Sequence, residues 1–331
     1  MKKIVITEYK GLVLCAYFKE DKLTEIRGES KDKPSILGNI YIGKVKKIVP
    51  NIKSAFVDIG RGEDVFYSLE NNKNHIFTHK PNAGDLKEGD EIVIKIKKEG
   101  NRLKKATGTS KGIFKDEEER NKLMEKWGHR SVFSLLRSHE PLFIKMYEDL
   151  KEEGVEKVVT DMDEVYSEFK ENDKLNVDIR KYNDDSYPLF KLYSFEKHIE
   201  NLLSPKVWLK SGGFLIISPT EALTVIDVNT GKSIGKKGKE EHILEINKEA
   251  GRKICEEVRL RNISGIIIAD FIDMEKKEYL DELLDFMKKE SKDTLSGIDV
   301  HDITRLNLME MTRKKERGPA ADMFNISYHI S

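Results

Sequence analysis

Two short apolar runs, 223-LTVID-227 and 266-IIIAD-270, constrain what this chain can fold into more than any other feature. Each is aliphatic or β-branched, and each ends on an aspartate. Between them lies a segment with helical period, its apolar face running Ile243, Ile246, Ala250, Ile254 and Val258, with Arg259 and Arg261 crowding its C-terminal end. Strand, helix, strand in that order is a β-α-β unit, whose crossover makes the strands parallel neighbours in one sheet. Parallel neighbours finish at the same edge, so Asp227 and Asp270 are expected side by side where open α/β sheets place their ligands. Two ionised carboxylates about 4 Å apart repel by roughly 4 kcal/mol at an effective dielectric near 20. A proton on one of them, a basic partner, or a hard divalent cation between them would relieve that repulsion. Mg²⁺ favours one or two carboxylates plus waters and phosphate oxygens. Asn229, two residues beyond Asp227 on the same face, can orient that carboxylate. Asp273 is near enough to add an acceptor, although strand parity assigns it to the opposite face from Asp270. Strand-end aspartates also cap the loops and helices after them, and on these residues alone that reading competes evenly.

The residues after the first run, 229-NTGKSIGKKG-238, imitate a phosphate-cradling loop. That motif, G-x-x-x-x-G-K-[ST], would need a glycine where this chain has Ile226.

A second pattern occupies 38-GNIYIGKVKKIVPNIKSAFVDIGRGEDVFYSL-69 and 89-GDEIVIKIKKEG-100, short period-two strands separated by turn residues. This is the signature of a small barrel. Tyr41, Phe56, Phe66 and Tyr67 interleave with Lys44, Lys46, Lys47, Lys53 and Arg61, as a single-strand-binding OB face requires. The alternative is that Phe56 and Phe66 are barrel core, and period two cannot decide between them. Basic and acidic residues balance at 59 each, so polyanion binding has to come from local clusters. The densest such cluster runs from Lys95 to Lys111 and includes Lys98 and Lys104, a candidate groove edge for phosphates. Residues 116–151 read as helical, with stripes at Leu123, Trp127, Val132, Leu135 and Leu136 and then at Leu142, Met146 and Leu150. Cys15 and Cys255 stand singly in apolar surroundings, which argues against a disulfide framework and a cysteine zinc site and suits a reducing cytosol. No signal peptide and no membrane span is read, so a cytoplasmic protein is expected.

The segments EALTVIDVNTGKSIG, EEVRLRNISGIIIADFIDM, HDITRLNLMEMTRKKER, GNIYIGKVKKIVPNIKSAFVDIG and FEKHIENLLSPKVWLKSGGFLIIS together resemble the ribonuclease E/G family of bacterial endoribonucleases. The resemblance implies a mixed α+β and α/β multidomain fold. An RNase H-like subdomain (residues 1–36 and 144–202) is interrupted by an S1-type OB β-barrel (37–105). A shortened helical remnant of a 5′-sensor region (106–143) follows the barrel, and a DNase I-like α/β catalytic subdomain spans 203–331. It implies that Asp227 and Asp270 hold a catalytic Mg²⁺ and that Asn229 supports Asp227. It further implies that Phe56 and Phe66 form the RNA-binding face of the S1 domain and that Arg305 contacts phosphate. Lys232, Lys236 and Lys237 then read as RNA-phosphate contacts rather than ATP ligands, together with Lys98, Lys104, Arg259 and Arg261. The implied reaction is hydrolysis of single-stranded RNA by metal-activated water, leaving a 5′-phosphate and a 3′-hydroxyl. None of the eight histidines falls in the two aspartate motifs, which disfavours a histidine-driven 2′-hydroxyl mechanism. Unpaired bases suit an aromatic barrel face.

Two family features are missing. The family's C-P-x-C zinc link has no counterpart in 318-GPAADMFNISYHIS-331, so a homodimer, if formed, is expected to form without zinc. No Arg-Thr pair stands between Gly100 and Gly154 to read a 5′-monophosphate, and Lys111 beside Thr107 to Ser110 is a poor substitute. Two rival readings are a non-catalytic RNA-binding or ribosome-associated protein that keeps the fold, and a DNase, which fits the metal chemistry equally but not the S1-type domain.

Overall fold

The structure, a computed structural model, describes residues 1–32, 34–79, 84–100, 105–114, 116–127, 132–173, 175–230, 239–293, 296–315 and 317–324. The chain forms two compact units, one from residues 33–141 and the other from residues 1–32 together with 142–331. It opens with an antiparallel trio, β1 (Lys2–Tyr9), β2 (Leu12–Lys19) and β3 (Lys22–Ser30). The two-residue turns are Lys10-Gly11 and Glu20-Asp21, all four with positive φ, the backbone twist that matches paired strands.

Residues 33–141 build the barrel unit from β4 (Ile40–Val49), β5 (Ser54–Asp58), β6 (Val65–Ser68), β7 (Glu91–Lys98) and β8 (Thr107–Thr109). Pairings run β4-β5-β6-β8-β7 and return to β4, with β6 and β8 parallel, so the five strands close into an OB-like barrel. Closure removes the strand edges that would otherwise invite foreign pairing. Val45, Ala55, Val57, Val65, Ile92, Ile94 and Ile96 fill it. Helix α1 (Glu117–Trp127) and strand β9 (Leu135–Arg137) complete the unit, β9 pairing with β4. Residues 106–143, expected as a separate helical remnant, therefore divide differently. Thr107–Thr109 closes the barrel, and Leu135 and Leu136, expected on a helical stripe, lie in a strand. Tyr41 and Tyr67, expected on the exposed face, are barrel core at 3% and 0% exposure. Alternation across β6 forces this result, because Val65 and Tyr67 share one side of the strand and Phe66 takes the other.

The chain then returns through α2 (Leu142–Leu150), β10 (Lys157–Thr160), α3 (Asp163–Glu171), β11 (Asp178–Lys181), α4 (Leu189–Leu192) and α5 (Phe195–Leu203). Strands β10 and β11 are parallel to β1, giving the sheet order β11-β10-β1-β2-β3. Helices α2 and α3 cover one face, packing on Ile4, Ile6 and Cys15; α4 and α5 cover the other, on Val5, Leu14 and Phe18.

The remainder forms a six-stranded sheet from β12 (Lys206–Trp208), β13 (Phe214–Pro219), β14 (Leu223–Asn229), β15 (Gly265–Asp270), β16 (Ile298–Ile303) and β17 (Leu308–Arg313), with α6 (Lys239–Leu260) and α7 (Lys277–Asp293). The order is β12-β13-β14-β15-β17-β16, and β14 and β15 are its parallel pair. Ile226, Val228, Ile267 and Ala269 face Ile243, Ile246, Ala250, Ile254 and Val258 of α6 in a single core. On the opposite side of the sheet Ser218, Val225, Asp227, Ile266, Asp270 and Glu310 are exposed. The two sheets of this unit are tied by buried ions. Glu25 on β3 meets Arg27 at 2.7 Å, Arg317 at 2.7 Å and Arg259 of α6 at 3.5 Å. Those arginines hold the Glu25 carboxyl down at about 2, outweighing a burial that works in the opposite direction. Among the described residues no helix is long and apolar enough to cross a membrane.

Candidate active site and nucleic-acid interface

Asp227 and Asp270 stand directly opposite one another in the parallel register of β14 and β15. Their neighbours Ile226 and Ala269 point into the core at 0% exposure, so alternation sends both carboxylates to the uncovered face. Asn229 lies two residues on, and its Nδ2 donates to Asp227 Oδ2 at 2.8 Å. One of its two N–H donors is thus committed to that carboxylate, and the carbonyl oxygen and second N–H remain for further partners. Desolvation first, then the charges of Asp227 and Asp273, push the Asp270 carboxyl above its ordinary value. No ion pair to Asp227 or Asp270 forms among the described residues.

This is an oxygen-donor set with crowded negative charge, and it fits a hard divalent cation with two protein carboxylates. Among the described residues, neither carboxylate is joined by the histidine or cysteine ligands that a protein zinc site ordinarily combines with them, so the set suits magnesium better than zinc. No group of three or more His, Cys, Asp or Glu side chains positioned to hold a metal occurs among the described residues. A two-carboxylate site of the magnesium kind needs no such group, because waters and substrate oxygens complete it.

Beyond Asp270 the chain is held by Asn247 of α6, a residue that sequence reasoning passed over. Fully buried, it donates from Nδ2 to the Ile272 carbonyl at 2.9 Å and accepts from the Ile272 N–H at 3.1 Å. This pair of hydrogen bonds to one residue fixes the exit of β15 and with it the Asp270 to Asp273 segment. Its signal was legible as an asparagine one turn from Ile243, on the apolar face of the helix. Asn307 donates to Asp273 Oδ1 at 3.4 Å, which brings the β16–β17 turn and its exposed Arg305 to the same end of the sheet.

Two expected contacts are corrected. Arg259 and Arg261 are 8% and 3% exposed. Arg261 donates to Glu257 Oε2 at 2.7 Å and to the carbonyls of Ser204 and Asn201 at 2.7 and 3.2 Å. Arg259 pairs with Glu153 and Glu25. Both guanidiniums are spent inside the unit, and neither is presented to a ligand. Sequence alone could not separate a basic helix end that binds phosphate from one that closes buried ion pairs. Lys232, Lys236 and Lys237 lie outside the described residues, as does Lys104.

On the barrel, Phe56 and Phe66 are cross-strand partners of β5 and β6, with ring centroids 6.1 Å apart at 72°. Both are half-buried and neither belongs to the barrel core, so the core alternative falls away. One row of side chains crosses the wall here: Lys47 opposite Phe56, Phe56 opposite Phe66, Phe66 opposite Thr107, and Thr107 opposite Lys98. Two exposed lysines thus flank two aromatic rings. Lys105 adds its ammonium 5.9 Å from the Phe56 centroid, a contact that the basic cluster implied without singling out the residue. In an OB barrel the second and third strands, here β5 and β6, carry oligonucleotides together with the loops beside them. Lys46 is engaged by Asp58 and Asp64 at 3.0 Å each, and Lys53 by Glu70 at 2.7 Å.

The chain is similar to known proteins along most of its length. Residues 87–316 match the model of the Ribonuclease E/G family. Ribonuclease G of Haemophilus influenzae is 30% identical over 380 residues, covering 89% of this chain and 76% of that protein. Ribonuclease G of Escherichia coli K12 is 27% identical over 385 residues, covering 91% and 77%. A chloroplastic ribonuclease E/G-like protein of Arabidopsis thaliana is 38% identical over 188 residues, which is 55% of this chain and 19% of that one.

Proposed function

Because the chain belongs to the Ribonuclease E/G family, we propose that it is a Mg²⁺-dependent endoribonuclease that cleaves single-stranded RNA to a 5′-phosphate and a 3′-hydroxyl. The observation that carries this reading is the in-register pair Asp227 and Asp270 on an exposed sheet face, with Asn229 bonded to the first. Asp227 and Asp270 hold the ion. When bound, it neutralises the phosphate and makes water a better nucleophile at neutral pH. Asn229 fixes one rotamer of Asp227, and Asn247 fixes the backbone that presents Asp270. Arg305 offers a planar fork to a phosphate oxygen pair. Phe56 and Phe66 stack unpaired bases while Lys47, Lys98 and Lys105 track the backbone.

The sheet order β11-β10-β1-β2-β3, completed by strands from both sides of the barrel, supports an RNase H-like subdomain split by an S1-type OB insertion. The sheet carrying the aspartates is read as the DNase I-like catalytic subdomain. Cleavage by direct entry without 5′-monophosphate sensing is part of the proposal, and what supports it is the lack of an Arg-Thr pair in the sequence between Gly100 and Gly154.

The test is cleavage of a single-stranded RNA oligonucleotide in Mg²⁺ and in EDTA, beside a DNA strand of the same sequence. Cleavage of DNA at the RNA rate, or RNA cleavage insensitive to chelation, would refute the proposal. A 5′-monophosphorylated substrate cleaved tenfold or more faster than its 5′-hydroxyl twin, a difference of about 1.4 kcal/mol, would refute direct entry.

A further inference from the structure

An aromatic cluster stands on the same uncovered sheet face as the carboxylates, one strand beyond their neighbours. Trp208 of β12 is 63% exposed, unusual for an indole with no structural burden to carry. Its ring meets Phe214 of β13 at 5.5 Å and 65°. The Lys206 ammonium lies 4.0 Å from the Trp208 centroid and 3.8 Å from that of Phe214. Register ties this trio to the site: Trp208 is opposite Phe214, Phe214 is opposite Asn229, and the next row runs Lys206, Ile216, Asp227, Asp270. From strand spacing and rise, Trp208 and Asp227 are about 12 Å apart along the sheet, within reach of a neighbouring nucleotide. Gly213 makes the approach possible, since a Cβ there would sit 2.5 Å from the Asn229 carbonyl oxygen.

We propose that Trp208, braced by Phe214 and Lys206, is a base-stacking subsite for a nucleotide beside the phosphate held at Asp227 and Asp270. It rests on the nuclease reading only for its place next to a scissile phosphate. An exposed π-face accepts any base, and the ammonium beside it favours a polyanionic strand over a neutral apolar partner. The subsite is distinct from the barrel face, with rings and cations of its own. Trp208 is a positioning residue here, setting where the strand lies over the carboxylates.

In a W127F chain Trp208 is the sole tryptophan. A single-stranded oligoribonucleotide added in EDTA is expected to quench its emission saturably. In Mg²⁺, W208A raises KM about tenfold and W208F stays near wild type. Removing one base from the substrate at a fixed position beside the cleavage point reproduces that loss in the wild type and adds nothing in W208A. An abasic substrate that costs W208A as much as it costs the wild type would overturn the subsite, as would unquenched emission. Concentration-dependent self-association abolished by W208A would also overturn it, assigning the face to a second copy of the chain. Saturable quenching without any Mg²⁺-dependent cleavage would uphold the subsite and sink the nuclease reading instead.

Discussion

At Asp270 the proposed chemistry and the pH dependence of stability meet. Its carboxyl is pushed above its ordinary value by desolvation and by Asp227 and Asp273, so its ionised form strains the folded chain in the absence of a cation. A carboxyl raised on folding favours the fold below its folded pKa and opposes it once ionised. Asp270→Asn is therefore expected to raise Tm in EDTA at pH 7 while removing the Tm gain that Mg²⁺ confers on the wild type. Both Asp270→Asn and Asp227→Asn should abolish Mg²⁺-dependent cleavage, a loss of at least about a hundredfold, with RNA affinity little changed, as gel-shift and initial-rate measurements can check. The pair was legible in the sequence because two apolar runs ending in aspartate around one helix admit few topologies. Asn247, by contrast, declares its role only once Ile272 is seen beside it. Arg259 and Arg261 misled because a charge reads the same in a sequence whether its partner is a phosphate or a buried glutamate.

At the scale of the element, β5 and β6 show what period two can and cannot decide. It predicts alternation, but with apolar residues on both sides of each strand it cannot say which side is inside. Closure of the barrel decides, and closure depends on β8, whose three residues Thr-Gly-Thr carry no strand signal of their own. Phe56→Ala and Phe66→Ala should each weaken oligoribonucleotide binding by about 1–3 kcal/mol. Because neither ring belongs to the barrel core, Tm should move little, and a loss of several kcal/mol in stability would contradict this placement. Lys98→Ala should lower the salt dependence of binding by about one phosphate contact, measurable as a shallower slope of log affinity against log salt.

In the whole molecule, the Glu25 cluster joins β3 to α6 and to Arg317 of the C-terminal segment. A carboxyl depressed from 4.5 to about 2 contributes stability above its unfolded value and loses it as pH falls toward the folded one. The shift corresponds to about 3 kcal/mol. Acid unfolding should therefore begin below about pH 4.5, and Glu25→Gln should cost about 3 kcal/mol or more at pH 7 in urea melts, with a flatter acid limb. Sequence patterning anticipated the split of the first sheet across the barrel only by resemblance, since no local period tells a strand which distant partner it will find. That split has a consequence for how the protein is made. Strand β1 leaves the ribosome early, yet its parallel neighbour β10 follows only after the whole of residues 33–141 has been synthesised. The barrel, with its strands contiguous in the chain, can fold in that interval while the β1–β3 ribbon waits with its β1 edge still unpaired. Translation speed and chaperone access during those hundred-odd residues should decide the yield of native chain, because an unpaired edge is where aggregation starts.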